Sequence, residues 1–299
     1  MSRRPLVGLL YNPTVPIVLD AIGERVDFIE VVPDRLWHDF GVNARHRFRR
    51  SLSAVEELRR YAQGRPLVGH GIGLSLSSET PLDERLLDEV LASHRTLRYR
   101  WYSEHLEVLL KSDRSAPETH AGIALPVVLD DDLLELVGGK VRRLGEALGT
   151  RILLENSTML PTALDQDMSE PEFFNRLHRQ TGCGMLLDLH NLHASTRNLG
   201  VSADEYLAEL DPDLVVEIHL AGADRTFELP ADSLSRPMLD EAWQWANTWA
   251  PRFHNLAAIT YEYRESHHRR HGLGGIGREL ELMRDLAAGI GESRASEMI

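Results

Sequence analysis

The chain has 299 residues, 42% of them hydrophobic and 26% charged, an ordinary composition for a soluble globular protein. Its 33 basic residues stand against 46 acidic ones, a formal net charge of −13, which argues against general affinity for nucleic acid or an anionic membrane surface. No stretch approaches the roughly 20 apolar residues of a membrane span; the apolar run after Arg4 is cut by Asn12 and Pro13 before it makes a secretory signal, and the single cysteine, Cys183, reads as a small buried residue of a cytoplasmic protein.

Residues 5–12 and 26–33 predict two buried strands, with a short helix at 17–22 between them. Residues 46–63 predict a helix, because Leu52, Val55, Leu58 and Tyr61 recur at three-residue spacing. A third strand at 66–71 leads into a Gly/Ser-rich loop, 71–78, which has neither the lysine nor the glycine spacing of a phosphate cradle. A helix at 83–95 and a fourth strand at 97–106 follow, and then a connection, 111–125, with little periodicity, read as a lid or docking loop. An amphipathic helix at 130–148 is closed by Gly149; a fifth strand spans 151–157, and a helix 170–181. The sixth strand is read through 184–193, followed by a helix at 202–210 and a seventh strand at 214–220. A polar loop at 223–236 precedes a helix at 238–248, whose Trp243 and Trp245, with Trp249 beyond, are read as packing residues. An eighth strand at 258–263 and a terminal helix to about residue 288 complete the chain. Eight strands alternating with helices, without a shift in composition, predict an α/β fold: one (β/α)8 TIM barrel over 1–290, with 291–299 a frayed tail.

Six apolar segments end in a ligand-type residue: His70, His105, Glu155, Asp188, His219 and Glu262. The strand ends of such a barrel converge, and active sites lie at their C-terminal side. Three imidazoles and three carboxylates without a thiolate suit iron, manganese or zinc. They exceed what one ion with an open position needs, so two or more ions sharing a carboxylate is the simplest arrangement, with Glu155 as the bridge. Each residue also has a structural reading. His70 between two glycines makes a turn or core histidine, and Glu155 and Glu262 make ion-pair partners, although buried carboxylates are costly unless paired or coordinated. Asp188 and His190, two apart, are expected on one side of the sixth strand. Glu217 and His219 share that relation, making Glu217 a deeper carboxylate that orients the His219 ring. His193 is a ligand or a substrate-facing loop residue, Glu104 a helix-side ion-pair partner, and His267-His268-Arg269-Arg270-His271 a solvated loop or a docking patch for carboxylates or peptide.

Taken together, Gly69-His70-Gly71 with Leu74-Ser75-Leu76-Ser77, Ser103-Glu104-His105-Leu106, Leu154-Glu155-Asn156, Leu186-Leu187-Asp188 with Asn191, Ile218-His219-Leu220-Ala221-Gly222 and Glu262 form a specific set. The set resembles the multinuclear non-haem iron-dependent oxidative enzymes, the family of the oxazolone-forming catalytic subunit of methanobactin biosynthesis and of relatives that modify ribosomally made peptides. The resemblance implies a xylose-isomerase-like barrel with Glu155 as bridging carboxylate, His70 and His105 on one iron, and Asp188, His219 and Glu262 on its neighbour. It places Asn156 and Asn191 near a third metal position. Many relatives carry a histidine after the Ala-Gly of the seventh strand and an Asp-Thr-His in the next loop, where this chain has Ala223 and no histidine near Asp232. His190 stands where relatives usually have asparagine, so a third site would be rebuilt around it. The implied chemistry is that of two or three irons, mixed-valent Fe(II)/Fe(III), with O2 as co-substrate, acting on a precursor peptide; Glu155, Asp188 and His193 are the candidate catalytic residues. The modified side chain is often cysteine, and a separate peptide-recognition partner commonly assists.

The alternative is a redox-neutral sugar-type isomerase or epimerase working with two divalent ions. A catalytic lysine would help it, but Lys111 and Lys140 are the chain's lysines and neither stands at an evident strand end.

Overall fold

The computed structural model describes residues 4–113, 116–125, 127–158, 166–221, 238 and 240–296, with 109–125 described as backbone alone. Eight parallel strands form a closed barrel. In chain order they are β1 (Leu6–Leu10), β2 (Phe28–Val31), β5 (Leu67–His70), β6 (Trp101–His105), β9 (Arg151–Glu155), β10 (Gly184–Asp188), β11 (Val215–Ala221) and β12 (Ala258–Glu262). The expected (β/α)8 architecture is therefore the observed one. By internal contacts the chain divides into two compact units, residues 1–30 with 185–299, and residues 31–184.

In the first unit, β1 pairs with β12 and with β2, and β11 pairs with β10 and β12. The register sets Gly8 beside both Thr260 and Phe28, and a methyl group on Gly8 would overlap the Phe28 ring. Glycine there lets the aromatic ring fill the space, burying a side chain worth about 1.5–3 kcal/mol. Helices α1 (Val15–Ile22), α6 (Leu189–Leu199), α7 (Ala203–Glu209), α8 (Asp240–Trp249) and α9 (Glu265–Ser296) belong to this unit. The sixth strand ends earlier than its apolar run suggests. Asp188 accepts the Asn191 amide proton at 2.7 Å and so caps α6, which turns residues 189–193 into helix. The 267–271 run is also helical, as part of α9, and His267 is buried rather than solvated, its Nε2 2.9 Å from the Tyr261 hydroxyl. Trp243, Trp245 and Trp249 are half-buried on α8. The 223–236 loop, with Ala223 and Asp232, lies outside the described residues.

In the second unit, the predicted 46–63 helix starts late. Residues Phe48–Arg50 form β4, antiparallel to β3 (Trp37–Asp39), and α2 (Leu52–Ala62) begins only after Ser51 accepts the Ala54 amide. Asp39 pairs with Phe48 across the two strands, and the buried Arg47 guanidinium binds Asp39 and Asp83. Within the 111–125 connection, the described residues pair as two antiparallel strands, β7 (Val108–Asp113) and β8 (Ala116–Leu125). Helices α3 (Glu84–Leu97), α4 (Asp131–Leu148) and α5 (Glu170–Thr181) complete the unit. Each has a side-chain N-cap, and Gly149 and Gly182 end α4 and α5 at positive φ. Cys183 is buried and its thiol is pushed up to about 12 by that burial, as expected of a packing residue. Among the described residues no helix is long and apolar enough to cross a membrane.

Candidate metal centre

In the second unit, the ends of β5, β6 and β9 bring together His70, His105 and Glu155, three residues 35 or more positions apart in sequence. Glu155 Oε2 lies 3.4 Å from His70 Nε2 and 3.1 Å from His105 Nδ1, and the two imidazole rings are 4.7 Å apart. His70 and Glu155 are buried, and His105 is half-buried. The His70 ring has a defined orientation. The Ser103 hydroxyl donates to the Gly69 carbonyl at 3.3 Å, which leaves it to accept the Nδ1 proton of His70 at 2.9 Å and turns the Nε2 lone pair toward Glu155. Asn156 is buried directly after Glu155.

The loop after β5 is anchored from two sides. Asp34 accepts the Ile72 amide at 3.1 Å, and Glu104 accepts the Tyr102 hydroxyl at 3.1 Å together with the Leu74 amide. Glu104 is thus a buried hydrogen-bond acceptor, not the helix-side ion-pair partner expected. Burial, with the charge of Asp34 added, pushes its carboxyl well above the usual range. Lys140, buried on α4, donates to the Ser78 carbonyl at the far end of the loop, and burial lowers its amine to about 8. Its engagement there gives no support to a catalytic lysine.

In the first unit, Asp188, His219 and Glu262 meet at the ends of β10, β11 and β12. His219 Nδ1 lies 3.5 Å from Glu262 Oε2 and 4.0 Å from Asp188 Oδ2, and His219 is fully buried. Asp188 divides its two oxygens: Oδ1 caps α6 and Oδ2 faces His219. Burial, with Glu262 adding to it, raises the Asp188 carboxyl against the pull of His190, His219 and the Asn191 amide. His190 and Asn191 stand half-buried in the first turn of α6, so the strand periodicity that was to align His190 with Asp188 does not apply. His190 nevertheless lies near enough to Asp188 for its charge to lower that carboxyl. His193 is one turn further on, half-buried, with its ring 6.0 Å from Trp245 and its imidazole lowered by burial.

One residue of this unit was not anticipated. Glu30, on β2, is fully buried, and its Oε2 stands 2.8 Å from His219 Nε2. Glu217, expected to orient that ring, belongs to the same buried group and accepts the Thr260 hydroxyl at 2.6 Å. The signal for Glu30 was a lone carboxylate within Phe28-Ile29-Glu30-Val31. Val31 and Val32 follow it, so it does not end its apolar run.

The donor sets fit a metal. Two ligands bound at about 2.1 Å to one ion stand roughly 3–3.5 Å apart, and Glu155 meets both imidazoles at such spacings, as Glu262 meets His219. Buried carboxylates facing imidazoles, without a thiolate, make a site for a borderline to hard divalent ion.

Comparison with known proteins bears on the same residues. The chain is 37% identical over 195 residues to a UPF0276 protein of Chromobacterium violaceum, an alignment spanning 63% of this chain and 66% of that one. It is 28% identical over 263 residues to a UPF0276 protein of Caulobacter vibrioides, covering 87% and 88% of the two chains. Among solved structures, D-psicose 3-epimerase from Clostridium cellulolyticum superposes with a TM-score of 0.55 at 13% identity, covering 97% of this chain and 98% of that one. A xylose isomerase domain protein from Planctomyces limnophilus gives 0.56 at 12%, covering 97% and 99%. At these identities the structural likeness concerns the fold, a xylose-isomerase-like barrel. The family model for the RiPP precursor modification enzymes MbnB, TglH and ChrH matches residues 7–266, which include every candidate ligand, and the chain belongs to that family.

Proposed function

We propose that this chain is a multinuclear non-haem iron enzyme that uses O2 to modify a side chain oxidatively, cysteine first among candidates, in a ribosomally synthesised precursor peptide in the cytoplasm. The observation that carries the reading is the occurrence, in a family of RiPP precursor modification enzymes, of buried imidazole and carboxylate clusters at metal-ligand spacing in each unit. Bound ferrous ions, two or three per chain, would supply Lewis-acid and one-electron chemistry toward dioxygen and lower the pKa of a coordinating thiol.

The chain's own residues do the rest. His70, His105 and Glu155 would hold one ion, with Ser103 beside the His70 ring. Asp188, His219 and Glu262 would hold another, with Asp188 tied to the start of α6. His190 and Asn191 are further candidate ligands in the first unit, and Asn156 in the second. Glu155 would be the carboxylate to which the family resemblance gives the bridging role, and His193, its ring 6.0 Å from that of Trp245, would face the substrate. A separate peptide-recognition protein is the expected partner.

The test is purification without oxygen, followed by metal analysis, Mössbauer spectroscopy and O2-dependent turnover of a candidate precursor peptide, read by mass spectrometry. Two or three coupled irons per chain, diminished in Glu155→Ala, and an O2-dependent mass change in the peptide are expected. Stoichiometric zinc or manganese with no O2 consumption would overturn the oxidative reading and bring forward the redox-neutral isomerase.

A further inference from the structure

Residues 35–50 depart from the charge of the chain around them: five arginines and two histidines stand against one acidic residue, Asp39, in a chain whose formal net charge is −13. Part of this charge fixes the segment. Arg47 binds Asp39 and Asp83, Arg50 binds Glu89 on α3, and Arg85 of α3 donates to the carbonyls of Val42 and Ala44 at 3.2 and 3.1 Å. The rest faces water. Arg45 and Arg49 are exposed and have no ion pair among the described residues. Phe40 is 51% exposed, with the Arg49 guanidinium 5.5 Å from its ring and the His38 ring edge-on at 4.4 Å; His38 and Arg49 are partners across β3 and β4. A large apolar ring left in water on a pinned hairpin, beside guanidinium groups without counter-charges, suits a ligand that is acidic and partly apolar. The hairpin also stands at the end of the barrel where the candidate ligands lie. It follows the C-terminal end of β2, and Asp34, in the turn before it, accepts the Ile72 amide two residues beyond His70. Hairpin and His70 cluster belong to the same compact unit.

We propose that the β3–β4 hairpin is the docking surface for an acidic segment of the precursor peptide, with Arg45 and Arg49 taking its carboxylates and Phe40 an apolar side chain between them. This rests on the reading above that the substrate is a peptide, and on neither the metal nor O2. Guanidinium groups grip carboxylates in bidentate geometry and stack on aromatic rings, and arginine clusters are a recurring means of recognising acidic motifs. A nucleic acid fits less well. Its affinity comes from many phosphates neutralised along a long basic surface, and outside this hairpin the chain is strongly acidic.

The experiment uses the full chain and two short rhodamine-labelled synthetic peptides, one alternating glutamate and serine around a central leucine, the other with glutamine in place of every glutamate. Binding is read by fluorescence anisotropy. The wild type should bind the glutamate peptide about 10-fold or more tightly than the glutamine peptide, and the difference should shrink as salt is raised. Arg45→Glu combined with Arg49→Glu should weaken binding of the glutamate peptide about 10-fold or more, and Phe40→Ser should weaken it by several-fold. Arg142→Glu combined with Arg179→Glu makes the same change of charge at exposed positions of α4 and α5 in the same unit, and should stay within about twofold of wild type. None of the three hairpin side chains is buried, so the hairpin variants should keep the wild-type urea midpoint. Should the double arginine variant fail to fold, Phe40→Ser and the glutamine peptide decide the matter. Equal binding of the two peptides, an equal loss in the α4–α5 variant, or no binding by the wild type would overturn the proposal. So would a single-stranded oligonucleotide that binds the wild type more tightly than the glutamate peptide and is released by the hairpin variants, which would make the hairpin a nucleic-acid surface. Iron content and O2 consumption are measured apart from peptide binding, so failure of docking leaves the iron reading standing, and failure of the iron reading leaves the docking result standing.

Discussion

His70 and Ser103 face each other across the β5–β6 pair, with Nδ1 of the imidazole 2.9 Å from the serine hydroxyl. Because the hydroxyl gives its own proton to the Gly69 carbonyl, the serine accepts from the ring and selects the nitrogen that faces Glu155. Ser103→Ala removes this selection without touching a ligand. It should weaken Fe(II) binding about 10-fold with stoichiometry intact, measured by anaerobic titration, whereas His70→Ala should lose the ion held by that cluster outright.

Gly71 has no room for a side chain. A methyl group there would overlap both the Tyr102 hydroxyl and the Glu104 carboxylate, groups bonded to each other in a buried setting. Gly71→Ala should cost about 1–3 kcal/mol by overpacking, read from denaturant unfolding of the metal-free chain. Because Gly71 follows His70 directly, the same variant should also reduce iron content.

Asp27 should leave a mark on acid stability. Burial alone would raise its carboxyl, but the Arg4 guanidinium at 2.9 Å, the Val7 amide at 3.0 Å and the charge of Arg284 hold it below 3.8. A carboxyl depressed in the folded state contributes stability above its unfolded value that is lost as pH falls through the folded one. The contribution should be complete above about pH 4 and disappear below it. Asp27→Asn should remove that acid-range loss and lower neutral-pH stability by about 1 kcal/mol, discounted because Arg4 is partly exposed. Urea unfolding between pH 2 and 7 checks both.

Lys140 should act at the other end of the scale. Its folded amine lies at about 8 against 10.5 when unfolded, because burial disfavours the charge. Between these values the unfolded chain binds more protons, so stability should rise with pH over that interval. Lys140→Met should flatten the rise, measured by urea unfolding from pH 7 to 10, and leave iron content and peptide turnover unchanged. Loss of turnover with full iron content would instead give the lysine a catalytic part.

Much of the site was legible because strand alternation is a local rule. A residue that ends an apolar run of a buried strand emerges at the strand's C-terminal end, which is how His70, His105, Glu155, Asp188, His219 and Glu262 were found. The same rule misplaced His190, because whether residues 189–193 continue the strand depended on Asp188 turning back to cap a helix. It also hid the β3–β4 hairpin, whose strands show no alternating burial.

By itself the sequence determined the eight-strand barrel, its family and the chemical class of its strand ends, since each follows from the order and spacing of residues along one segment. The tertiary structure alone decided which ring nitrogen faces which oxygen. Glu30 and His219 are 189 residues apart, His70 and Ser103 are 33 apart, and their contacts exist only because barrel closure and strand register set side chains of separate segments at hydrogen-bonding distance.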